Sequence, residues 1–135
     1  MPDCIFCKII AGELPSYKVY EDSDVLAFLD IHPTNPGHTL VIPKQHHRDF
    51  LDTSADLQSK LIQAIGKLAP IIMKAVGAEA FNLFVNNGAV AGQIIFHTHF
   101  HIVPRFTTDG HKLWHGKDMT QEELVRIAGK IKEKL

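Results

Sequence analysis

Apolar positions along this chain change their period several times, and the changes mark its elements. From residue 53 onward, Leu57, Leu61, Ile65, Leu68, Ile72 and Val76 recur at intervals of three and four. That is the period of a helix with one buried stripe. Thr53 with Asp56 resembles a capping pair, Gly77 is placed to stop this helix, and Pro70 is expected to kink or break it. Shorter runs predict strands over residues 17–20 and 25–29, around the polar turn Glu21-Asp22-Ser23-Asp24. A third strand is expected over 39–42, between Pro36-Gly37 and Pro43. Residues 81–85 read as a fourth, followed by the turn residues Asn86-Asn87-Gly88, and 94–103 as the longest, closed by Pro104. Residues 5–11 predict a short helix stopped by Gly12 and Pro15. Thr120 and Glu123 form a capping box that opens an amphipathic helix carrying Leu124, Ile127 and Ile131. Few helices are available to join parallel strands. The pattern therefore predicts an α+β fold, an antiparallel sheet with helices packed on it.

Composition narrows the function classes. The chain has 135 residues, 45% of them hydrophobic, which suits one ordinary domain with a real core. No repeat, linker or low-complexity segment interrupts it, so residues 1–135 read as a single domain. Net charge is −1 with no block of Lys or Arg, which argues against a nucleic acid polymer as partner. The longest apolar runs, such as residues 71–73 and 94–96, are too short to cross a membrane. Met1-Pro2-Asp3-Cys4 lacks the basic start and apolar stretch of a secretory signal, so a cytoplasmic location is expected. In a reducing compartment the two cysteines point to metal or redox chemistry more than to a disulfide.

The nine histidines are the outlier, and three sit in His97-Thr98-His99-Phe100-His101. On a strand, side chains alternate, so the three imidazoles would share one face at a spacing of roughly 6.5 Å, with Phe96, Thr98, Phe100 and Ile102 on the other. Two chemistries suit such a row. One is a catalytic metal, which would call for a nearby Asp or Glu as general base, and none flanks the strand. The other is direct attack by a neutral imidazole on phosphorus, with neighbouring imidazoles donating to the charge that develops on the phosphoryl oxygens.

His97-Thr98-His99-Phe100-His101-Ile102-Val103 resembles the His-φ-His-φ-His-φ-φ signature of the histidine triad superfamily, with Thr98 as a polar departure. The resemblance extends over almost the whole chain. It takes in Leu26-Ala27-Phe28-Leu29-Asp30-Ile31, Pro36-Gly37-His38-Thr39-Leu40-Val41-Ile42-Pro43-Lys44, Asn86-Asn87-Gly88, Gly92-Gln93 and Val103-Pro104-Arg105. It implies a five-stranded antiparallel sheet with one long helix, and a homodimer with a continuous ten-stranded sheet. The implied activity is nucleotidyl hydrolysis or transfer at the α-phosphate through a covalent nucleotidyl-histidine, with a purine nucleotide as substrate.

Residue by residue, the resemblance makes His99 the nucleophile, its Nδ1 proton held by the carbonyl of His97. His38 and His101 would hydrogen-bond around the phosphate. Gly92, Gln93 and Asn86 would hold phosphoryl oxygens, and Asp30 the ribose hydroxyls. Phe6, Ile9, Leu14, Phe28 and Ile31 would form the slot for the base. Plain structural readings stand beside these: core positions for the apolar residues, a turn cap for Asp30, a turn for Asn86 and Gly92. Gln93 has no evident local role. Close relatives often carry Ser or Thr after the Gly-Gln pair, where this chain has Ile94.

Cys4-Ile5-Phe6-Cys7 has the spacing that lets two thiolates share one zinc. Inert buried cysteines and a redox pair are the other readings. A subset of the family completes a structural zinc site with two histidines, which by position are His46 and His97, with His47 a rival. His32, His111 and His115 read as surface residues, and Trp114 either reaches a partner subunit or covers a core edge. The expected function is thus cleavage of nucleoside phosphoramidates or dinucleoside polyphosphates, with a nucleotide-binding adaptor of vestigial catalysis as the alternative.

Overall fold

The computed structural model describes residues 3–135; Met1 and Pro2, part of the opening used for the location reading, lie outside the described residues. In chain order the elements are α1 (Ile5–Ile10), β1 (Lys18–Glu21), β2 (Val25–Leu29), β3 (Thr39–Pro43), α2 (Ala55–Val76), β4 (Ala80–Val85), a 3-10 turn (Ala89–Ala91), β5 (Phe100–Arg105) and α3 (Gln121–Glu133). The strands form one antiparallel five-stranded sheet in the order β1-β2-β3-β5-β4. No helix of the described residues is long and apolar enough to cross a membrane.

The sheet is covered on both faces at its centre, which is why β2 and β3 are buried almost throughout instead of alternating. On one face Val25, Ala27, Val41, Phe100 and Ile102 meet the apolar stripe of α2, namely Leu61, Ile65, Leu68 and Ile72. On the other, Leu26, Phe28, Leu40 and Ile42 meet Phe6 and Ile9 of α1. In register, His101 stands opposite Leu40 of β3 and Phe84 of β4, so it projects on the α1 face. The edge strand β4 leaves Phe81, Leu83 and Phe84 exposed.

Three sequence expectations are corrected. Ser54, not Thr53, caps α2, its hydroxyl accepting from the Leu57 N–H. Thr53 is instead buried, sharing a hydrogen bond with Thr98. α2 also runs unbroken through Pro70, because Pro70 and Gly66 both lie on its exposed side, where water can satisfy the carbonyl that loses its partner. Gly77 ends the helix in the left-handed region, as expected.

The expected strand over 94–103 begins only at Phe100. Residues before it leave the sheet to pair with the loop after β3, as when the Thr98 N–H donates to the His47 carbonyl. Phe96 consequently sits on the surface. As expected, α3 opens on its capping box and is amphipathic, and its apolar residues Leu124, Ile127 and Ile131 are exposed.

Candidate active site

The three histidines of the motif do not form a row on one strand. His101 alone lies within β5, and the chain bends at 95–97 so that each imidazole meets different partners. His99 and His101 face each other with ring centroids 4.9 Å apart. His38, just before β3, joins them at 5.2 Å from His101. His97 turns away, toward Cys4, Cys7 and His46.

Main-chain groups decide where each proton sits, because a carbonyl can only accept and an N–H can only donate. The carbonyl of His97 lies 2.8 Å from His99 Nδ1, so Nδ1 carries the proton and Nε2 is left as a bare lone pair. The Thr34 N–H donates to His38 Nδ1 at 3.0 Å, which puts the His38 proton on Nε2. That proton is donated to His101 Nδ1 at 2.9 Å, so His101 in turn carries its proton on Nε2. His101 Nε2 is buried with no protein partner. The network therefore ends in one bare nitrogen and one uncommitted N–H donor.

This assignment requires neutral rings, and burial supplies them. Desolvation lowers the pKa of His38 and His99, and pushes that of His101 down to about 4. Asp30 opposes the effect weakly, its Oδ2 standing 3.7 Å from His38 Nε2. Its other oxygen accepts the His32 N–H, so the turn-cap reading holds beside any ligand role.

Around the imidazoles, Phe6 packs edge-on against His99 at 5.2 Å, His97 at 5.9 Å and Phe28 at 5.5 Å. Phe6, Ile9 and Phe28 are buried, whereas Leu14 and Ile31 lie at the surface. Gly92 adopts φ +97°, close to Asn86. Gln93 is fully engaged: Oε1 accepts from the Gly88 N–H, and Nε2 donates to the carbonyls of Arg48 and Ile95. Its local role, invisible in the sequence, is to pin the turn before Ile94. Ile94 itself is 83% exposed.

Three participants have no sequence signal: the Thr34 N–H, the Pro43 carbonyl and Phe84. The first two are backbone groups. Phe84 lies flat on His101, with centroids 4.5 Å apart and planes at 12°, and only the register of β4 on β5 could have paired them.

Beside this centre lies a second cluster. Cys4, Cys7, His46 and His97 hold one ligand atom each within 4.8 Å of the others. Tetrahedral zinc bonds of about 2.0–2.3 Å would set N–N and N–S ligand pairs about 3.3–3.6 Å apart. Here His46 Nδ1 and His97 Nδ1 are 3.1 Å apart, Cys4 Sγ is 3.4 Å from His97 Nδ1, and Cys7 Sγ is 3.3 and 3.6 Å from the two nitrogens. His97 Nε2 donates to the Pro43 carbonyl at 2.8 Å, which leaves Nδ1 bare toward the cluster. Burial pushes the His97 pKa down to about 4, again favouring the neutral ligand form. These residues fit a zinc ion. His47 points elsewhere, with Nδ1 3.7 Å from Asp52.

Comparison with known proteins agrees with this arrangement. A family model described as the HIT domain matches residues 11–108. The chain is 37% identical over 135 residues to a Schizosaccharomyces pombe protein named adenosine 5'-monophosphoramidase, covering 98% of each. It is 44% identical over 122 residues to an Arabidopsis thaliana protein named adenylylsulfatase, covering 90% of this chain and 61% of that one. The crystal structure of a HIT family member from Bacillus subtilis shares 42% identity at a TM-score of 0.90, covering 98% of this chain and 97% of that one. With its fold, its histidine motif and its relatives in agreement, the chain belongs to the HIT domain family, some of whose members are named as hydrolases.

Proposed function

We propose that this protein hydrolyses purine nucleoside phosphoramidates or dinucleoside polyphosphates at the α-phosphate through a covalent nucleotidyl-His99. The 2.8 Å bond from His99 Nδ1 to the His97 carbonyl carries the reading. It aims a neutral, bare Nε2 outward, the form that attacks phosphorus. Nε2 forms the N–P bond as the bond from phosphorus to the leaving nitrogen or oxygen breaks. The leaving atom takes a proton. Water then attacks the same phosphorus, the N–P bond breaks, a proton is returned, and nucleoside monophosphate departs with His99 restored. The uncommitted His101 Nε2–H is placed to donate to a phosphoryl oxygen or to the leaving atom, and His38 holds it in that state.

The remaining roles follow the family pattern. Asn86, Gly92 and the Gln93 turn would border the phosphate. Asp30 would accept from the ribose hydroxyls. Phe6, Ile9, Leu14, Phe28 and Ile31 would line the base slot, with Leu14 and Ile31 at the surface covering the three buried ones. A bound zinc ion would clamp α1 to the loop before β5, with four protein ligands and no open coordination position. The exposed edge of β4 with Phe81, Leu83 and Phe84 suits pairing with a second copy into a ten-stranded sheet. A cytoplasmic setting would keep both cysteines reduced. The relatives named for adenosine 5'-monophosphoramidate and for adenylyl sulfate support an adenylyl substrate.

Ile94 favours a second reading, a nucleotide-responsive adaptor, since it removes a hydroxyl beside the site. The test is AMP release from an adenosine phosphoramidate and from a diadenosine polyphosphate, with His99→Ala as control. His99-dependent release from either substrate is expected. AMP binding without release would favour the adaptor, and undiminished release by His99→Ala would overturn the mechanism.

A further inference from the structure

One residue belongs to both clusters. His97 offers Nδ1 to Cys4, Cys7 and His46, while its own main-chain carbonyl holds the Nδ1–H of His99. The ring is fully buried and pinned on its far side by the Pro43 carbonyl, so moving Nδ1 must move the main chain that carries the carbonyl. Phe6 supplies a second connection. It sits between Cys4 and Cys7 on α1, and its ring touches the rings of both His97 and His99. The segment at 94–99 is held by no strand ladder, so the sheet does not fix the direction of this carbonyl.

We propose that the Cys4–Cys7–His46–His97 cluster is a positioning device for His99, in which a metal ion held by the four residues sets the carbonyl that orients the imidazole. Cys4, Cys7 and His46 are then positioning residues, acting on phosphorus only through His97 and His99, and Phe6 adds a positioning contact to its place in the proposed base slot. This rests on the proposed role of His99 as nucleophile. It goes beyond a structural clamp, because a clamp would need only to hold α1 in place. Emptying the cluster should leave the sheet and α2 intact, since neither takes part in it, and should release His99 to exchange between its two tautomers.

The experiment uses the full chain labelled with nitrogen-15 in its histidines, first loaded with zinc and then depleted by a chelator. Long-range proton–nitrogen NMR reads the His99 ring directly. Loaded protein should show one tautomer, Nδ1 protonated and Nε2 bare. Depleted protein should show averaged shifts, with circular dichroism unchanged. In the same samples kcat should fall on the order of tenfold while KM changes little. Loaded Phe6→Leu, which retains all four ligands, should shift the His99 signals part of the way. If depletion unfolds the chain, replacing zinc with the larger cadmium ion in the folded protein supplies the comparison, and the His99 nitrogen shifts should differ between the two metals. A His99 spectrum indifferent to depletion, or in that second case to the identity of the metal, overturns the proposal. If loaded protein releases no AMP, the nucleophile reading fails, yet the NMR comparison still decides whether the cluster controls the ring.

Discussion

His38 Nε2 and His101 Nδ1 lie 2.9 Å apart, and their order of donation is set by the backbone N–H of Thr34, one hydrogen bond further back on His38 Nδ1. A main-chain donor at one end thus leaves a side-chain donor, His101 Nε2–H, at the other. His38→Ala should free His101 to take either tautomer and reduce kcat on the order of a hundredfold, with a smaller effect on KM. Steady-state kinetics on an adenosine phosphoramidate checks this, and an unchanged kcat would show that the chain of donors does not serve the reaction.

Ile94 is 83% exposed and follows the Gly92-Gln93 turn. Ile94→Ser should leave stability within about 0.5 kcal/mol of the parent. A restored hydroxyl worth about 1 kcal/mol in the transition state would raise kcat/KM about fivefold. A fall in kcat/KM instead would mean that the isoleucine itself contacts the leaving group.

Thr53 and Thr98 share a buried 2.8 Å hydrogen bond that ties the segment before β5 to the loop before α2. Thr53 also donates to the Asp49 carbonyl at 2.8 Å, so its single proton is spent there and Thr98 is the donor of the pair, its hydroxyl also standing 3.3 Å from the His47 carbonyl. Thr53→Val should therefore cost more, about 1–3 kcal/mol, because it takes the donor from the Asp49 carbonyl and leaves the Thr98 hydroxyl only the longer bond to the His47 carbonyl. Thr98→Val should cost nearer 1 kcal/mol, as it removes only a donor. Urea unfolding of the two variants would reveal the order, and a reversed ranking would refute the assignment.

Gly37 adopts φ +87°, and a Cβ there would stand 3.0 Å from Val76, 3.1 Å from Pro104 and 3.3 Å from Ile72. Strain and overpacking combine, so Gly37→Ala should cost about 2–4 kcal/mol. Gly77 shares the positive φ, at +71°, but has open space around it. Gly77→Ala should cost only about 1 kcal/mol. Equal losses in both variants would mean that packing at Gly37 plays no part.

Asp109 accepts from Arg105, from Asn35 and from the N–H groups of Phe106 and His111. The Arg105 guanidinium, foremost among these donors, holds its carboxyl far below the usual range. The unfolded chain then binds more protons than the folded one in acid, so stability rises with pH. Its contribution is complete above the unfolded value of about 3.9 and is lost progressively as pH falls below it toward the folded value. Chemical denaturation at stepped pH should show a steeper acid decline for the parent than for Asp109→Asn. Parallel curves would mean that other carboxylates govern the decline.

Much of the fold was legible because its signals are local. The stripe from Leu57 to Val76, the stop at Gly77 and the box at Thr120 and Glu123 depend on neighbours within one or two helical turns, and all three appear as read. Thr53 and Pro70 misled for a related reason. Thr53 has the chemistry of a cap, but a partner 45 residues away claims its hydroxyl. Proline's penalty depends on which side of the helix it faces, and only packing decides that.

By itself the sequence determined the elements, the family motif and the list of groups able to do chemistry: five imidazoles, two thiols and a carboxylate. Those are properties of residue type and spacing. The family resemblance implied a role for each imidazole, but only the tertiary structure decided which nitrogen of His38, His97 and His101 is bare. The local pattern made His97, His99 and His101 equivalent. The Pro43 and His97 carbonyls and the Thr34 N–H fix the protons: on Nδ1 in His99, and on Nε2 in His97, in His38 and through it in His101. A histidine's role follows from which of its two nitrogens is bare, and that is fixed by hydrogen-bond partners that no stretch of sequence names.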